Sequence, residues 1–380
     1  MRAIVALFVA GLGVALAAQS SPAPALDIYY VDTEGGQATL FRSPSGETLL
    51  VDTGNAGERD LNRILGVLTE AGVTRLDHLF LTHYHGDHYG SLLNIAKRIP
   101  VMRFYDHGEN IEKREAFTAF RTAYEEISRG KRTSVRPGDR IQMAGLDIRV
   151  VASNGEVLKT NLPGGGGSNA ACQAYRPRQE VVDDNHQSAG FVMAYGRFRT
   201  IDLGDLMWSK EFDLMCPANR IGTVDLYLTS HHGLAQSGGP VLVHALAPRV
   251  AIMNNGPRKG GAVEALQVLA QSPGLQDTWQ LHWSHFGGIE HNAPGAFIAN
   301  IDEMDTVVGV LTALAAPPAT GGGGATGQQA GAGRRGGGGG PAPAAAHTPA
   351  HWIKVSARQD GSFTVTNTRN GFSKTYAPRQ

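Results

Sequence analysis

Between Leu79 and Gly90 an apolar run, Leu79-Phe80-Leu81, ends in Thr82-His83-Tyr84-His85-Gly86-Asp87-His88. The apolar residues read as a strand, and the three imidazoles and one carboxylate that follow it form an H-x-H-x-D-H cluster. Alternation at a strand end turns His83 and His85 to the same side, while Asp87 and His88 face the other way. One tetrahedral ion cannot use all four groups and still keep a position for water, so the spacing suits two adjacent metal ions. A polar turn that merely happens to be rich in histidine is the bland alternative. It does not account for ligand spacing placed directly after an apolar strand.

The N-terminus reads as an export signal over residues 1–18. Met1-Arg2 precedes an apolar stretch, Ile4 to Ala18, that ends in Ala15-Leu16-Ala17, an A-x-A cleavage pattern. The stretch is too short to span a bilayer comfortably, and Gln19 to Pro24 after it is polar and contains proline. The expected mature protein is periplasmic or extracellular, with no transmembrane segment after cleavage. Basic and acidic residues balance at 34 each, which gives no bulk attraction to nucleic acid or to anionic membranes. The two cysteines, Cys172 and Cys216, rule out a cysteine-rich zinc module and allow one disulfide in an oxidising compartment.

Around the histidine cluster the chain alternates strands and helices. Strands are expected over 27–31, 37–42 and 48–51, the last leading into Asp52-Thr53-Gly54. Leu61, Ile64, Leu65, Val67 and Leu68 have helical spacing, and the histidine-bearing strand comes next. This order favours an α/β sandwich. Helices over 91–97 and 111–130, a strand over 101–105 and a hairpin within 139–152 follow. The periodic signal then fails at a glycine loop, Leu162 to Ser168, which lacks the Lys-Ser/Thr of a phosphate-binding loop. Further on, a strand pair over 190–203 ends in Gly204-Asp205, and a strand over 224–228 ends in Thr229-Ser230-His231-His232-Gly233.

An H-x-H-x-D-H motif followed by an aspartate and a histidine at two later strand ends resembles the metallo-β-lactamase-fold hydrolases. The Asn185-His186-Gln187-Ser188, Gly204-Asp205 and Ser230-His231-His232-Gly233 segments resemble the periplasmic hydrolase domain of DNA-uptake competence proteins and the related cell-wall choline esterases. The likeness runs from about Asp27 to about Asn300. It departs from the competence type at Glu34-Gly35-Gly36-Gln37-Ala38, which lacks an aspartate, and at Asn254 to Gly260, which lacks a His-Pro.

The resemblance implies a four-layer αβ/βα sandwich over 26–316 and a dinuclear centre, most simply of zinc, with manganese or iron as alternatives. His83, His85 and His186 would hold one ion, and Asp87, His88 and His231 the other, with Asp205 bridging and Asp87 also acting in catalysis. Asp52, Asn185 and Ser188 would support the ligands. His232, Asn254, Arg258, Lys259 and Asn292 would face the substrate, and His285 or His291 would donate a proton to the leaving group. The metals would lower the pKa of a shared water, so the implied reaction is hydrolysis. A phosphodiester or other phosphoester is the favoured substrate, as a small molecule, a nucleic acid or a cell-wall polymer. Lactone, amide or β-lactam hydrolysis, and metal binding without turnover, are the rival readings.

From Pro317 to Ala350 the chain is Gly, Ala, Pro and Gln-rich and is expected to be disordered. Residues 351–380 carry a hairpin signal around Gln359-Asp360-Gly361, expected to pack back on the same domain.

Overall fold

The structure, a computed structural model, describes residues 24–112, 115–301 and 350–379. The expected export signal and almost all of the expected disordered insertion lie outside the described residues.

Two large sheets face each other. The first begins with β1 (Leu26–Tyr30), β2 (Thr39–Arg42), β3 (Thr48–Val51), β4 (His78–Phe80), β5 (Phe104–Asp106) and β6 (Arg132–Ser134). The second holds β7 (Arg140–Met143), β8 (Leu146–Ser153), β9 (Glu156–Val157), β10 (Gly190–Tyr195), β11 (Phe198–Asp202), β12 (Leu226–Leu228), β13 (Val250–Met253), β14 (Asp277–His282) and β15 (Ile298–Asn300). The chain then returns to the first sheet with β16 (Ile353–Ala357), β17 (Phe363–Asn367) and β18 (Ser373–Tyr376). The first sheet runs β18-β17-β16-β1-β2-β3-β4-β5-β6 and the second β15-β14-β13-β12-β11-β10-β8-β7, with β9 beside β8.

Three apolar layers hold these sheets together. Between them lie Ile28, Phe41, Val51 and Phe80 from the first and Val150, Phe191, Met193 and Ile252 from the second. The outer face of the first sheet is covered by the helix Glu58–Glu70, whose Leu61, Ile64, Val67 and Leu68 are buried, and by the helices Leu92–Arg98 and Glu115–Ile127. The helices Trp208–Met215, Pro240–Leu246 and Val263–Ala270 cover the outer face of the second. The result is the four-layer αβ/βα sandwich expected from the sequence.

Two details depart from that expectation. The helix expected over 111–130 is Glu115–Ile127, with Ile111 and Glu112 in the segment before it. The expected terminal hairpin is part of a three-stranded antiparallel addition that pairs with β1, with Ile353, Val355 and Ala357 buried and Lys354 and Ser356 less so. The cysteines form a disulfide, with Cα atoms 5.9 Å apart.

What positions the site is the parallel part of each sheet. Strands β3, β4 and β5 are parallel to one another, as are β11, β12, β13 and β14. Segments leaving the carboxyl ends of β3, β4, β11 and β12 carry Asp52, the histidine cluster, Asp205 and the His231-His232 pair, as parallel strands commonly do for functional groups.

Candidate metal centre

After β4 the chain runs without regular structure through His83 and then turns in the short helix Gly86–Tyr89. The rings of His83 and His85 lie 4.7 Å apart and those of His83 and His88 4.0 Å apart, so this one segment gathers three imidazoles. Asp205 Oδ2 is the common centre. It lies 3.8 Å from His83 Nε2, 3.3 Å from His88 Nε2, and 3.4 Å from Nε2 of both His231 and His232. Asp87 Oδ2 joins from the far side, 3.5 Å from His88 Nε2 and 3.3 Å from His232 Nε2.

The backbone is bent to deliver these groups. Asp52, His231 and His232 all have left-handed φ, at 57°, 54° and 56°. For residues with a Cβ, that conformation persists only when the surroundings impose it, and it clusters at functional sites. Gly204 also has φ +54°, and a Cβ there would lie 2.7 Å from Cβ of Thr82, so only glycine lets the Asp205 loop meet the histidine segment.

Asp52 braces the cluster. Its Oδ2 lies 2.7 Å from His88 Nδ1 and accepts the Thr82 hydroxyl, while its Oδ1 accepts the Thr82 backbone N–H. A carboxylate can only accept, so Nδ1 of His88 carries the proton and its Nε2 is turned toward Asp87, Asp205 and His232. Gln37 performs a similar task for Asp202, donating to both of its oxygens, and Asn254 in turn donates to Gln37 Oε1.

The electrostatics follow from burial and mutual contact. Burial disfavours ionisation of Asp205, but the His232, His88 and His231 rings outweigh it and hold the carboxyl well below its usual range. Desolvation also opposes ionisation of the partly exposed Asp87, yet His88 and Lys259 hold its carboxyl well below the usual range. Burial alone would lower His88, but Asp205, Asp87 and Asp52 raise it well above 6.5. Burial, reinforced by His88, drives His83 well below 6.5, and burial pushes His231 down to about 4.

The donor set fits a metal. Among buried side-chain atoms, His83 Nε2, Asp205 Oδ1 and His232 Nδ1 have no hydrogen-bond partner. Such orphaned atoms are costly in a protein interior unless something else satisfies them. Asp87, His88, Asp205 and His232 each offer a ligand atom within 4.8 Å of the others, and a second group, His85, Glu112 and Asp183, meets the same criterion.

The structure redistributes several roles expected from the sequence. Both His231 and His232 reach Asp205, but His232 is fully buried, also touches Asp87 and His88, and stands in the candidate ligand group, which does not include His231. His231 is the more outward ring, with Nδ1 3.3 Å from the Ser237 hydroxyl. His186, expected as a ligand, turns away instead, its two ring nitrogens lying 3.4 Å from Asp183 and 3.1 Å from Glu180. Asn292, expected at the substrate, is committed to its own loop. It accepts from Gln280 and the Ser284 N–H and donates to the carbonyls of Ser284 and Gly288.

Asn254 is buried against Gln37 and does not line an open surface. Asn185 and Ser188 are buried just before β10, with Asn185 bonded to Asp183. Lys259 pairs with Asp87, and Arg258 beside it is exposed. His285 lies in the segment after β14 and His291 ends the short helix Gly288–His291, both outside the two ligand groups. His285 N donates to the Pro257 carbonyl, which ties that loop to the one bearing Lys259.

Sequence reading missed Gln37, Glu112 and Asp183. Glu112 precedes a helix 27 positions beyond His85 and carries no motif, so only the folded chain reveals it. Asp183 stands in a recognisable polar run, where the neighbouring histidine drew the assignment.

Residues 31–167 match the model of the metallo-beta-lactamase superfamily. A metal-dependent hydrolase of Staphylococcus saprophyticus is 36% identical over 66 residues, 17% of this chain and 25% of the relative. A hydroxyacylglutathione hydrolase of Erwinia tasmaniensis is 28% identical over 135 residues, 36% of this chain and 42% of the relative. The chain thus spans less than half the length of either curated relative. Among solved structures, the metallo-beta-lactamase fold protein YhfI from Bacillus subtilis aligns at 12% identity with a TM-score of 0.42, covering 67% of this chain and 96% of that one.

Proposed function

We propose that this chain is an exported metal-dependent hydrolase with a dinuclear centre, zinc in the simplest case, acting on a phosphodiester or related phosphoester. The observation that carries the reading is the convergence of His88, His232, Asp87 and Asp205 ligand atoms within 4.8 Å of one another at the carboxyl ends of parallel strands, with the buried, unpartnered His83 Nε2 3.8 Å from Asp205. Metal ions held there supply Lewis acidity toward water and toward the attacked oxygen. The chain's own residues do the rest. Asp52 fixes the tautomer and orientation of His88, Asp205 presents Oδ2 to the His83, His88, His231 and His232 rings, and Lys259 places a cation beside Asp87.

The phosphoester preference rests on the all-imidazole and carboxylate ligand set and on the likeness to competence-type hydrolases, which extends the candidate substrates to nucleic acid and cell-wall polymers. Export rests on the N-terminal pattern and is compatible with the disulfide; among the described residues no helix is long and apolar enough to cross a membrane. The match to a hydroxyacylglutathione hydrolase supports a second reading, hydrolysis of a thioester or other acyl substrate on the same residues.

The test is a panel of a bis-aryl phosphodiester, a lactone, a thioester and a β-lactam, run on metal-loaded protein with and without chelator. Chelator-sensitive phosphodiester turnover that exceeds the others supports the proposal. Acyl turnover alone replaces it with the second reading, and no turnover on any member rejects hydrolysis of these classes.

A further inference from the structure

The His83-His85 side of the centre lacks the third imidazole that His186 would have supplied, and something else converges there. His85 Nε2 lies 3.2 Å from Glu112 Oε1, and a carboxylate oxygen of Asp183 lies within 4.8 Å of both. The His85–Glu112 distance is the separation expected between neighbouring ligands of one ion, since two donors each about 2.1 Å from a metal stand roughly 3 to 4 Å apart. The group comes from three places in the sequence: the turn after β4, the segment before the helix Glu115–Ile127, and the segment before β10.

Independent structure holds each carboxylate in place. Glu112 is fixed by its backbone N–H, which donates to Asn110 Oδ1, and Asp183 caps the short helical turn Asp184–Gln187 by accepting the Asn185 N–H. Asp184, fully buried, pins the same segment by accepting from the Tyr84 N–H and lying 3.0 Å from His107 Nε2.

A second observation points to a ligand on this side. The ring of His83, next to that of His85, is fully buried and its Nε2 has no hydrogen-bond partner.

The geometry points to a carboxylate-bearing first metal site, in which His85, with His83 beside it, is completed by Glu112 and Asp183 instead of His186. This rests on the dinuclear reading above and deepens it. Such a site is richer in oxygen than one built from three imidazoles. Harder ions, Mn2+ and Fe2+, therefore compete better with Zn2+ there than at the Asp87-His88-His232 side.

The test loads the full-length mature protein with Mn2+ or Zn2+, dialyses it, and counts ions per chain by elemental analysis, with titration calorimetry for affinity. The wild type, Glu112→Gln, Asp183→Asn, the double variant and His186→Ala are compared, with circular dichroism confirming that each is folded. The expected result is two ions in the wild type and in His186→Ala. In the double variant one Mn2+ ion should be retained and the other lost or bound at least about tenfold more weakly, with each single variant intermediate. Loss of the spin-coupled Mn2+ signal in the double variant gives a readout independent of turnover.

A double variant that keeps two ions within twofold of wild-type affinity, or a His186→Ala variant that loses one, overturns the assignment and leaves the dinuclear reading standing. A wild type that binds no ion overturns both. If the double variant does not fold, the single variants decide by the same criteria.

Discussion

At the residue scale the proposed centre separates side chains that would touch the metal ions from those that only hold the ligands in place. Asp205 is the group that His83, His88, His231 and His232 share. Asp205→Asn keeps the size but removes the charge that offsets two closely spaced cations, so one ion should be lost and turnover should fall by about a hundredfold or more. Circular dichroism should be unchanged. Asp52→Asn is predicted to be milder, because Asp52 reaches the centre only through Nδ1 of His88. An amide that presents its NH2 to that nitrogen no longer enforces the tautomer, and metal affinity should fall about tenfold to a hundredfold in calorimetry. Equal effects from the two substitutions would contradict the distinct roles given to these aspartates.

At the element scale, loops on the second sheet set the position of the histidine pair. Glu211, in the helix Trp208–Met215, is buried and accepts the backbone N–H groups of Gly238 and Gly239, anchoring the loop that follows His232. Burial pushes its carboxyl from 4.5 up to about 8. A carboxyl raised on folding favours the protonated state. Its contribution is therefore complete below about pH 4.5 and is lost as pH rises through about 8. Glu211→Gln should flatten this dependence, so that its melting temperature, relative to wild type, rises between pH 5 and pH 9. A constant difference across that range would rule out Glu211 as the titrating group.

The disulfide belongs to this scale too, since it ties the segment around Cys172 to the end of the same helix across 44 positions. Replacing both cysteines by serine should cost about 2–4 kcal/mol of stability in denaturant titrations. Metal content should stay the same, because neither cysteine stands among the ligand groups.

Why some elements were legible and others were not is a matter of period and length. The helix Glu58–Glu70 shows its buried stripe across three turns, and β1, β3 and β4 are short apolar runs closed by turn residues, so both kinds could be read directly. The helices over 208–215, 240–246 and 263–270 are seven or eight residues each and were not anticipated, whereas Leu92–Arg98, equally short, was read because it directly follows the histidine motif. At the site, Asp87, His88 and Asp205 stand in local motifs tied to strand ends. The choice between His231 and His232 depended on two left-handed residues that no periodicity encodes, and Glu112 reaches His85 only through the packing of a distant segment.

At the scale of the whole molecule, the two sheets bring motifs from distant parts of the chain onto one edge, and the C-terminal strands complete the sheet that carries the histidines. β16 pairs with β1 along its full length, and Ile353, Val355, Phe363 and Val365 enter the layer between the sheets. Ending the chain at Ala350 exposes that layer and leaves β1 as an unpaired edge. The truncated protein should lose cooperative unfolding or aggregate, and a soluble form with an unchanged thermal transition would show that these strands are dispensable.

The proposed two-metal centre is decided by elemental analysis of the purified, reconstituted protein, expressed as ions per chain. Close to two ions are expected, falling to about one in Asp205→Asn, and a wild-type value of one or below after saturation with Zn2+ or Mn2+ rules the centre out.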